Sequence, residues 1–214
     1  MKKTILIVVL TLFVSVCHAQ MDTLARYIKR VHDTSVSGIE PITEKRSIEY
    51  STYIKRYAAE YGNDRDIIVG LIEWESDGFR NTVDKKGSRS KVLHTSQWCW
   101  GLGKLKVSTA NDFARNFLGW NCEWITGRDL LYDYRLNIEL TSAYYGWCYD
   151  IKNGNIERAL NAYRAGPTGE RRGNYMIKIR MPDGKVETKP YSYWVMTCVD
   201  KWKRYKVKYG LDDE

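Results

Sequence analysis

Residues 66–76 predict a helix whose buried face contains an acidic side chain. Ile68, Leu71 and Ile72 share one side of this helix, since successive residues turn by about 100°. Glu75 follows Leu71 by four positions and Ile72 by three, so it lies in the same apolar stripe. The sequence therefore places a carboxylate where the helix packs against the protein interior.

The position of Glu75 has a chemical consequence. A carboxylate on a buried face costs free energy unless it is paired or protonated, and burial raises its pKa. A raised carboxyl pKa suits a general acid that works near neutral pH. The competing interpretation is a glutamate at a frayed helix end, turned to water or paired with an arginine. Position alone favours this second interpretation, and the motifs described below reverse the preference.

The other acidic residues of this segment are predicted to have ordinary structural roles. Asp64 and Asp66 are both N-cap candidates, and Asp66 stands directly before the apolar run. Glu73 points to a different side of the helix from Glu75, where we expect it to be solvated.

The N-terminus has the three parts of a secretory signal peptide. Met1-Lys2-Lys3 precedes an apolar run over 5–16, and Cys17-His18-Ala19 follows it. The run is too short for an ordinary membrane anchor, and no later segment is apolar enough to cross a membrane. We expect cleavage after Ala19 and a soluble product that is periplasmic or secreted. Attachment of lipid to Cys17 is the weaker alternative, because bulky Val16 stands where a small residue is expected.

The chain is basic, which bears on its partners. Removal of Lys2 and Lys3 with the signal peptide lowers the formal net charge from +8 to +6. A basic exported protein suits an anionic target such as the cell wall or a membrane surface. Export argues against nucleic acid as the partner, and nothing predicts stable insertion into a membrane.

Four cysteines remain after cleavage, namely Cys99, Cys122, Cys148 and Cys198. An even number in an oxidising compartment predicts two disulfides, with three pairings that the sequence does not separate. Buried free thiols are the alternative. No CxxC or His-rich spacing is present, so we expect neither a metal nor a cofactor.

Apolar periodicity predicts a mainly helical domain with one small β excursion. The predicted helices cover residues 24–31, 48–61, 66–76, 108–118, 129–152, 155–165 and 193–209. Ser108 or Thr109 is the expected cap of the fourth helix. Alternation on both sides of Pro182-Asp183-Gly184 predicts a β-hairpin near residues 176–187.

Four separated motifs occur in order along the chain. The first is a Glu-Ser pair at a helix end with an aromatic residue soon after, as Glu75-Ser76-Asp77-Gly78-Phe79. The second is a glycine turn that leads to Thr-Ala, as Gly101-Leu102-Gly103-Lys104-Leu105-Lys106-Val107-Ser108-Thr109-Ala110. The third is Asn137-Ile138 with Tyr144 seven residues later, and the fourth is Ala162-Tyr163-Arg164-Ala165-Gly166-Pro167.

Together these motifs resemble the lytic transglycosylase family with a lysozyme-like fold, the soluble lytic transglycosylase (SLT) domain. The tail adds to the likeness, since Glu187-Thr188 before Tyr191 and Tyr193 is similar to the closing Glu-Thr-x-x-Tyr of the family. The resemblance implies a mainly α (α+β), lysozyme-like globular domain. We divide the chain into a signal peptide (1–19), an N-terminal extension (20–47), the transglycosylase domain (48–209) and a tail (210–214).

The resemblance implies that Glu75 is the single catalytic acid and base. It would protonate the β-1,4 glycosidic oxygen between N-acetylmuramic acid (MurNAc) and N-acetylglucosamine (GlcNAc) in peptidoglycan. The substrate's acetamido group would stabilise the cationic centre, and the muramyl 6-hydroxyl would close a 1,6-anhydro ring. Substrate assistance explains why one carboxylate suffices where glycosidases usually have two.

The resemblance also implies substrate contacts from Ser76, Asp84, Gly101, Leu102, Lys104, Tyr144 and Tyr163. Tyr163 would reach the catalytic carboxyl or the sugar beside it, a core tyrosine being the alternative. Gly101 and Leu102 would line a glycan groove with backbone and apolar contacts. Asn137 is interpreted as structural, tying a helix to a loop.

The sequence departs from the family pattern at several positions. Gly103, Lys104 and Arg164 stand where the family has Met, Gln and Asn. Lys104 beside Glu75 would favour the charged carboxylate, or would contact the carboxylates of the peptide stems. Residues 89–100 are an insertion whose Trp98 and Trp100 form either a sugar-stacking wall or core packing.

Asp84 stands where the family commonly has a Ser, and it keeps other outcomes open. A second carboxylate would suit a lysozyme-type hydrolase, whereas a surface Asp is the simpler interpretation. A catalytically weak peptidoglycan-binding protein is a further alternative. The sequence does not choose between general wall recycling, service to a secretion system or another envelope complex, and lysis of a host.

Overall fold

The computed structural model of the protein describes residues 21–35, 40–81, 83–84 and 98–209, with the backbone alone at 83–84. The predicted signal peptide, most of the insertion at 89–100 and the tail at 210–214 lie outside these residues. The described part contains eight helices, which confirms the predicted mainly helical class. They are α1 Thr23–Ser35, α2 Glu44–Glu60, α3 Arg65–Glu75, α4 Val107–Asn116, α5 Gly127–Tyr132, α6 Tyr134–Ile151, α7 Ile156–Arg171 and α8 Tyr191–Lys208.

Two small antiparallel sheets accompany the helices. Strands β1 Val83–Asp84, β2 Cys99–Trp100 and β3 Leu105–Lys106 form one sheet in that order. Strands β4 Met176–Arg180 and β5 Val186–Pro190 form the predicted hairpin, in which Met176 pairs with Pro190 and Arg180 with Val186. The hairpin therefore extends slightly beyond the predicted residues.

Helix α3 runs through the centre of the molecule and is buried on every side along residues 66–73. This explains why the prediction for Glu73 is wrong. Its side chain is only 5% exposed, and it accepts hydrogen bonds from the Tyr27 hydroxyl (2.6 Å) and from Lys201 Nζ (2.8 Å). Periodicity assumes one buried face, whereas α1 and α8 both supply partners to α3.

The N-terminus of α3 separates the two cap candidates. Asp64 is the N-cap, and its side chain accepts from the amide of Asp66 at 2.8 Å. Asp66 lies inside the first turn, where it accepts from Trp202 Nε1 at 2.6 Å and from Lys206 Nζ at 2.9 Å. The acidic pair therefore both starts α3 and fastens it to α8.

Two predicted helix boundaries are wrong for local reasons. The helix expected over 129–152 is broken at Asp133, which has φ −93° and ψ 83°. The side chain of Asp133 accepts from the Leu136 amide, so it begins α6 as an N-cap and ends α5. Helix α4 begins at Val107, and neither Ser108 nor Thr109 caps it.

Helix α1 belongs to the same hydrophobic core as the rest of the molecule. Leu24, Tyr27, Ile28 and Val31 are each at most 3% exposed and pack with residues of the other helices. Helix α2 also begins before residue 48. The predicted division at residues 47 and 48 therefore does not mark an edge of the packed unit.

The cysteines do not meet the two-disulfide prediction. Cys122, Cys148 and Cys198 are thiols, so two disulfides cannot be drawn from the four cysteines that the structure describes. Burial raises the pKa of both Cys148 and Cys198 to about 12, which keeps these thiols protonated and unreactive. Among the described residues, no helix combines the length and apolar character needed to cross a bilayer.

Candidate active site

The glycine turn of the second motif is the loop of a tight hairpin. Trp100 pairs with Leu105 across β2 and β3, which leaves residues 101–104 as the connection. Gly101 has φ 74°, and a Cβ there would lie 2.3 Å from the Leu130 carbonyl oxygen. Glycine is needed at this position because the turn lies directly against the end of α5.

Asn137 holds this turn in place from α6. Its Oδ1 accepts from the Gly103 amide at 2.8 Å. Its Nδ2 donates to the carbonyl oxygens of Trp100 at 3.0 Å and Leu130 at 3.1 Å. The side chain is fully buried, as expected for the structural role that the sequence predicts.

The departure at Gly103 has a steric explanation. A Cβ at this position would lie 1.8 Å from Thr141 Oγ1 on α6. The turn therefore approaches α6 more closely than any larger residue permits.

Glu75 lies at the C-terminal end of α3, where the chain reverses in a Schellman motif. The amide of Gly78 donates to the Glu73 carbonyl (2.9 Å), and that of Asp77 donates to the Trp74 carbonyl (3.4 Å). Asp77, Gly78 and Phe79 have φ values of 50°, 87° and 63°. A left-handed Phe is rare, so this turn stores backbone strain directly after Glu75.

The carboxylate of Glu75 is half-buried and is held from the far end of the chain. The hydroxyl of Tyr191, the first residue of α8, donates to Glu75 Oε1 at 2.6 Å. Tyr191 itself is fully buried. Glu75 of the first motif and Tyr191 of the closing Glu-Thr-x-x-Tyr pattern are therefore joined by a hydrogen bond.

Tyr163 bonds to the glycine turn and lies near this carboxylate. Its hydroxyl donates to the Gly103 carbonyl oxygen at 2.7 Å, and its ring lies 5.2 Å from that of Tyr144. Glu75 is close enough for its charge to act on Tyr163. The ring is 7% exposed and belongs to the hydrophobic core, as the core-tyrosine alternative predicts, and a contact with the substrate stays a prediction.

The pKa values of the two tyrosines beside Glu75 show which form each phenol takes. Burial raises the pKa of Tyr163 and Tyr191 well above the ordinary phenol value of 10.0, and the charge of Glu75 raises both further. Both phenols therefore stay protonated and act as hydrogen-bond donors. Among the described side chains of this cluster, Glu75 supplies the carboxyl group, which accepts the hydrogen bond from Tyr191.

For the remaining predicted site residues, the structure gives burial and local contacts. Ser76 is 1% exposed, and its hydroxyl donates to the Ile72 carbonyl at 2.5 Å. Leu102 is fully buried, backbone included, and does not present the predicted apolar contact at the surface. Lys104 is 9% exposed at the end of the turn, with φ 50°. Asp84 pairs with Cys99 through its backbone, and its side chain lies outside the described residues.

Aromatic residues continue away from Tyr163 along α6. Tyr144 is half-buried and packs against Trp147, at a ring distance of 5.8 Å, and against Phe113, at 5.5 Å. Trp100 packs against Gly127, where a Cβ would lie 2.4 Å from its ring. This contact favours core packing for Trp100 over a sugar-stacking wall.

Sequence reasoning did not assign a role to Tyr191. The signal was present as the Glu187-Thr188-x-x-Tyr191 pattern, but nothing local indicates which residue the phenol meets. Within residues 21–35, 40–81 and 98–209, no cluster of His, Cys, Asp and Glu side chains could hold a metal ion.

The fold and this cluster define a lysozyme-like helical domain with a glutamate at the end of its central helix. The family model "Transglycosylase SLT domain" matches residues 52–175, more than half of the chain. The chain therefore belongs to the transglycosylase SLT domain family.

A solved structure shows the same fold. The lytic transglycosylase Slt of Pseudomonas aeruginosa, solved as an inactive Glu-to-Gln mutant, superposes with a TM-score of 0.52 at 19% identity. The match covers 76% of this chain and 25% of that protein, so the chain corresponds to about a quarter of its length. No curated protein matches the sequence.

Proposed function

We propose that this protein is a peptidoglycan lytic transglycosylase that cleaves the β-1,4 bond between MurNAc and GlcNAc. The observation that carries the proposal is the hydrogen bond from buried Tyr191 to the half-buried carboxylate of Glu75. Tyr163 is close enough for the charge of Glu75 to act on it, and its hydroxyl donates to the turn at 101–104. Glu75 of the first motif thereby lies near Tyr163 of the fourth, which bonds to the glycine turn of the second motif, and Asn137 of the third motif holds that turn. Membership of the SLT family supports peptidoglycan as the substrate.

In the proposed reaction Glu75 acts twice. Protonated Glu75 donates its proton to the glycosidic oxygen as the bond to muramyl C1 breaks, which releases the GlcNAc-terminated product. The muramyl acetamido oxygen stabilises the cationic C1. Ionised Glu75 then accepts the proton of the muramyl 6-hydroxyl, whose oxygen bonds to C1 and closes the 1,6-anhydro ring. Proton and bond changes balance, and no water is consumed.

Tyr191 and Tyr163 would serve this cycle without exchanging protons themselves. Tyr191 orients Glu75 through its hydrogen bond to Oε1, while Tyr163 fixes the Gly103 carbonyl and hence the turn beside the carboxylate. We further propose that Gly101, Lys104 and Tyr144 bound the glycan groove with Leu102 packed beneath them, and that Ser76 and Asp84 lie at its edge. The leader predicted at 1–19 would export the protein.

Product analysis tests the proposal. Purified sacculi are digested with the protein that begins at Gln20, and soluble muropeptides are identified by mass. We expect 1,6-anhydro-MurNAc ends, which are lighter by one water than reducing ends. Reducing ends alone would identify a lysozyme-type hydrolase, and Asp84→Asn should then abolish release. Sedimentation with sacculi without release of fragments would indicate a binding protein.

A further inference from the structure

A buried hydrogen-bond network joins α1 to the helix that presents Glu75. Tyr27 on α1 donates to Glu73 Oε2 at 2.6 Å, and Lys201 on α8 donates to the other oxygen at 2.8 Å. Glu73 is 5% exposed and lies two residues before Glu75. The contact therefore fixes the last turn of α3 from a helix that precedes the segment matched by the family model.

The same helix also covers the strained turn after Glu75. A Cβ on Gly78 would lie 1.9 Å from Ser35 Oγ and 3.5 Å from Val31 Cγ1, so the backbone of the turn packs directly on α1. The ring of Phe79 is 1% exposed and meets the ring of Tyr27 edge-on at 6.3 Å. Left-handed conformations at non-glycine residues persist only where surrounding contacts enforce them, and α1 supplies these contacts.

We propose that α1 is a positioning element for catalysis, and that the bond from Tyr27 to Glu73 is its main attachment to the catalytic helix. The inference rests on the proposed function of Glu75. Without this bond, α1 packs less tightly against residues 77–79. The C-terminal end of α3 then becomes more mobile, and the Glu75 carboxylate shifts relative to Tyr191. Tyr27 is a positioning residue, since it acts through Glu73 and the turn.

Tyr27→Phe removes the hydroxyl and keeps the ring. The matched control is Ser51→Ala, which also removes a hydrogen bond that docks α1 but on the side of α2. Ser51 Oγ donates to Asp22 at 2.8 Å, and Asp22 begins α1 by accepting from the Ala25 amide at 2.7 Å. Both variants should lose thermal stability, which makes them comparable.

The readouts are kcat and KM for release of soluble fragments from sacculi, and amide hydrogen exchange at Asp77 and Gly78. Tyr27→Phe should lower kcat about tenfold with KM unchanged, and Ser51→Ala should stay within about twofold, since small misplacement of a catalytic group costs rate. Exchange at both amides should be faster in Tyr27→Phe alone.

An equal loss of kcat in both variants, or full kcat in Tyr27→Phe, would overturn the positioning role. If the wild-type protein releases nothing from sacculi, the proposed function fails, and hydrogen exchange decides separately whether α1 holds the turn. Equal exchange rates in the two variants would then reject the inference.

Discussion

Tyr191 reaches Glu75 across 116 positions of sequence, and this contact is the clearest residue-scale feature of the site. A buried phenol that stays protonated can orient a carboxylate without competing with it for the proton. The bond from Tyr191 therefore fixes the position of Glu75 Oε1.

Tyr191→Phe should slow the reaction while leaving the fold intact. A hydrogen bond to a charged group contributes about 1.5–3 kcal/mol, which corresponds to about 10- to 100-fold in rate when it orients the catalytic group. The measurement is the initial rate of fragment release from sacculi. Tyr193→Phe is the matched control, because Tyr193 lies two residues further along α8 and is 45% exposed. Equal rates in the two variants would contradict an orienting role.

At this scale the sequence predicts some contacts and misses others for a physical reason. Glu75 is predictable because its apolar neighbours lie within one helix, and Asn137 because its motif implies a tie between helix and loop. Glu73 and Tyr191 are not, since their partners Tyr27, Lys201 and Glu75 come from other helices. The spacing of apolar residues predicts which face of a helix is buried, but it does not predict which polar groups on different helices form hydrogen bonds.

At the scale of elements, the Asn137 side chain on α6 donates and accepts hydrogen bonds that hold the hairpin turn at 101–104. Asn137→Ala leaves the Gly103 amide and the carbonyls of Trp100 and Leu130 without their buried partner. Each unsatisfied buried group costs about 1–3 kcal/mol, so we expect a loss of at least about 3 kcal/mol. The measurement is the free energy of unfolding in urea.

Asn155→Ala provides the comparison for that measurement. Asn155 is the exposed N-cap of α7, where its Oδ1 accepts from the Arg158 amide at 2.9 Å. Loss of such a cap costs about 1 kcal/mol. Similar losses in the two variants would show that the turn does not depend on Asn137.

An ion cluster that joins α6 to α7 should make stability sensitive to acid. A hydrogen bond from Arg158, opposed by burial and aided by Lys152, holds the pKa of the Glu170 carboxyl below its ordinary value of 4.5. Glu170 and Lys152 have side-chain exposures of 8% and 7%. Because the folded-state pKa is lowered, this stabilisation is fully present above the ordinary pKa and is lost as the pH falls through the lowered one.

Glu170→Gln should remove that acid sensitivity and leave Lys152 buried without its ion-pair partner. Breaking a buried pair costs about 3–5 kcal/mol near neutral pH. Urea midpoints of both proteins across the acid range should converge as the pH falls. A constant difference between them down to the lowest pH would contradict the assignment.

Elements were predicted better than their boundaries. The helices and the hairpin at Pro182-Asp183-Gly184 follow from apolar periodicity and turn chemistry. The break at Asp133 was missed because the apolar pattern continues through it, and only the side-chain cap on Leu136 reveals it. The disulfide prediction failed because an even number of cysteines says nothing about where they lie.

At the scale of the whole molecule, α1 is part of the structural core although the family model begins after it. Leu24, Tyr27, Ile28 and Val31 are buried, and each such side chain contributes about 1.5–3 kcal/mol. Their sum is comparable to the total stability of about 5–15 kcal/mol that domains usually have.

A chain that begins at residue 44 should therefore not unfold cooperatively. The measurement is thermal denaturation followed by near-ultraviolet circular dichroism, with the chain that begins at Gln20 as control. A cooperative transition of the shortened chain within a few degrees of the control would show that α1 is dispensable for folding.

The central claim is that Glu75 transfers the proton, and its most direct test is the rate of fragment release by Glu75→Gln on sacculi. Glutamine keeps the shape of the side chain and its contact with Tyr191 but cannot transfer a proton, and general acid–base catalysis contributes about 100- to 10,000-fold. We predict a loss of at least about 100-fold, with binding to sacculi and thermal stability unchanged. A variant that releases anhydro-muropeptides at the wild-type rate would contradict the account.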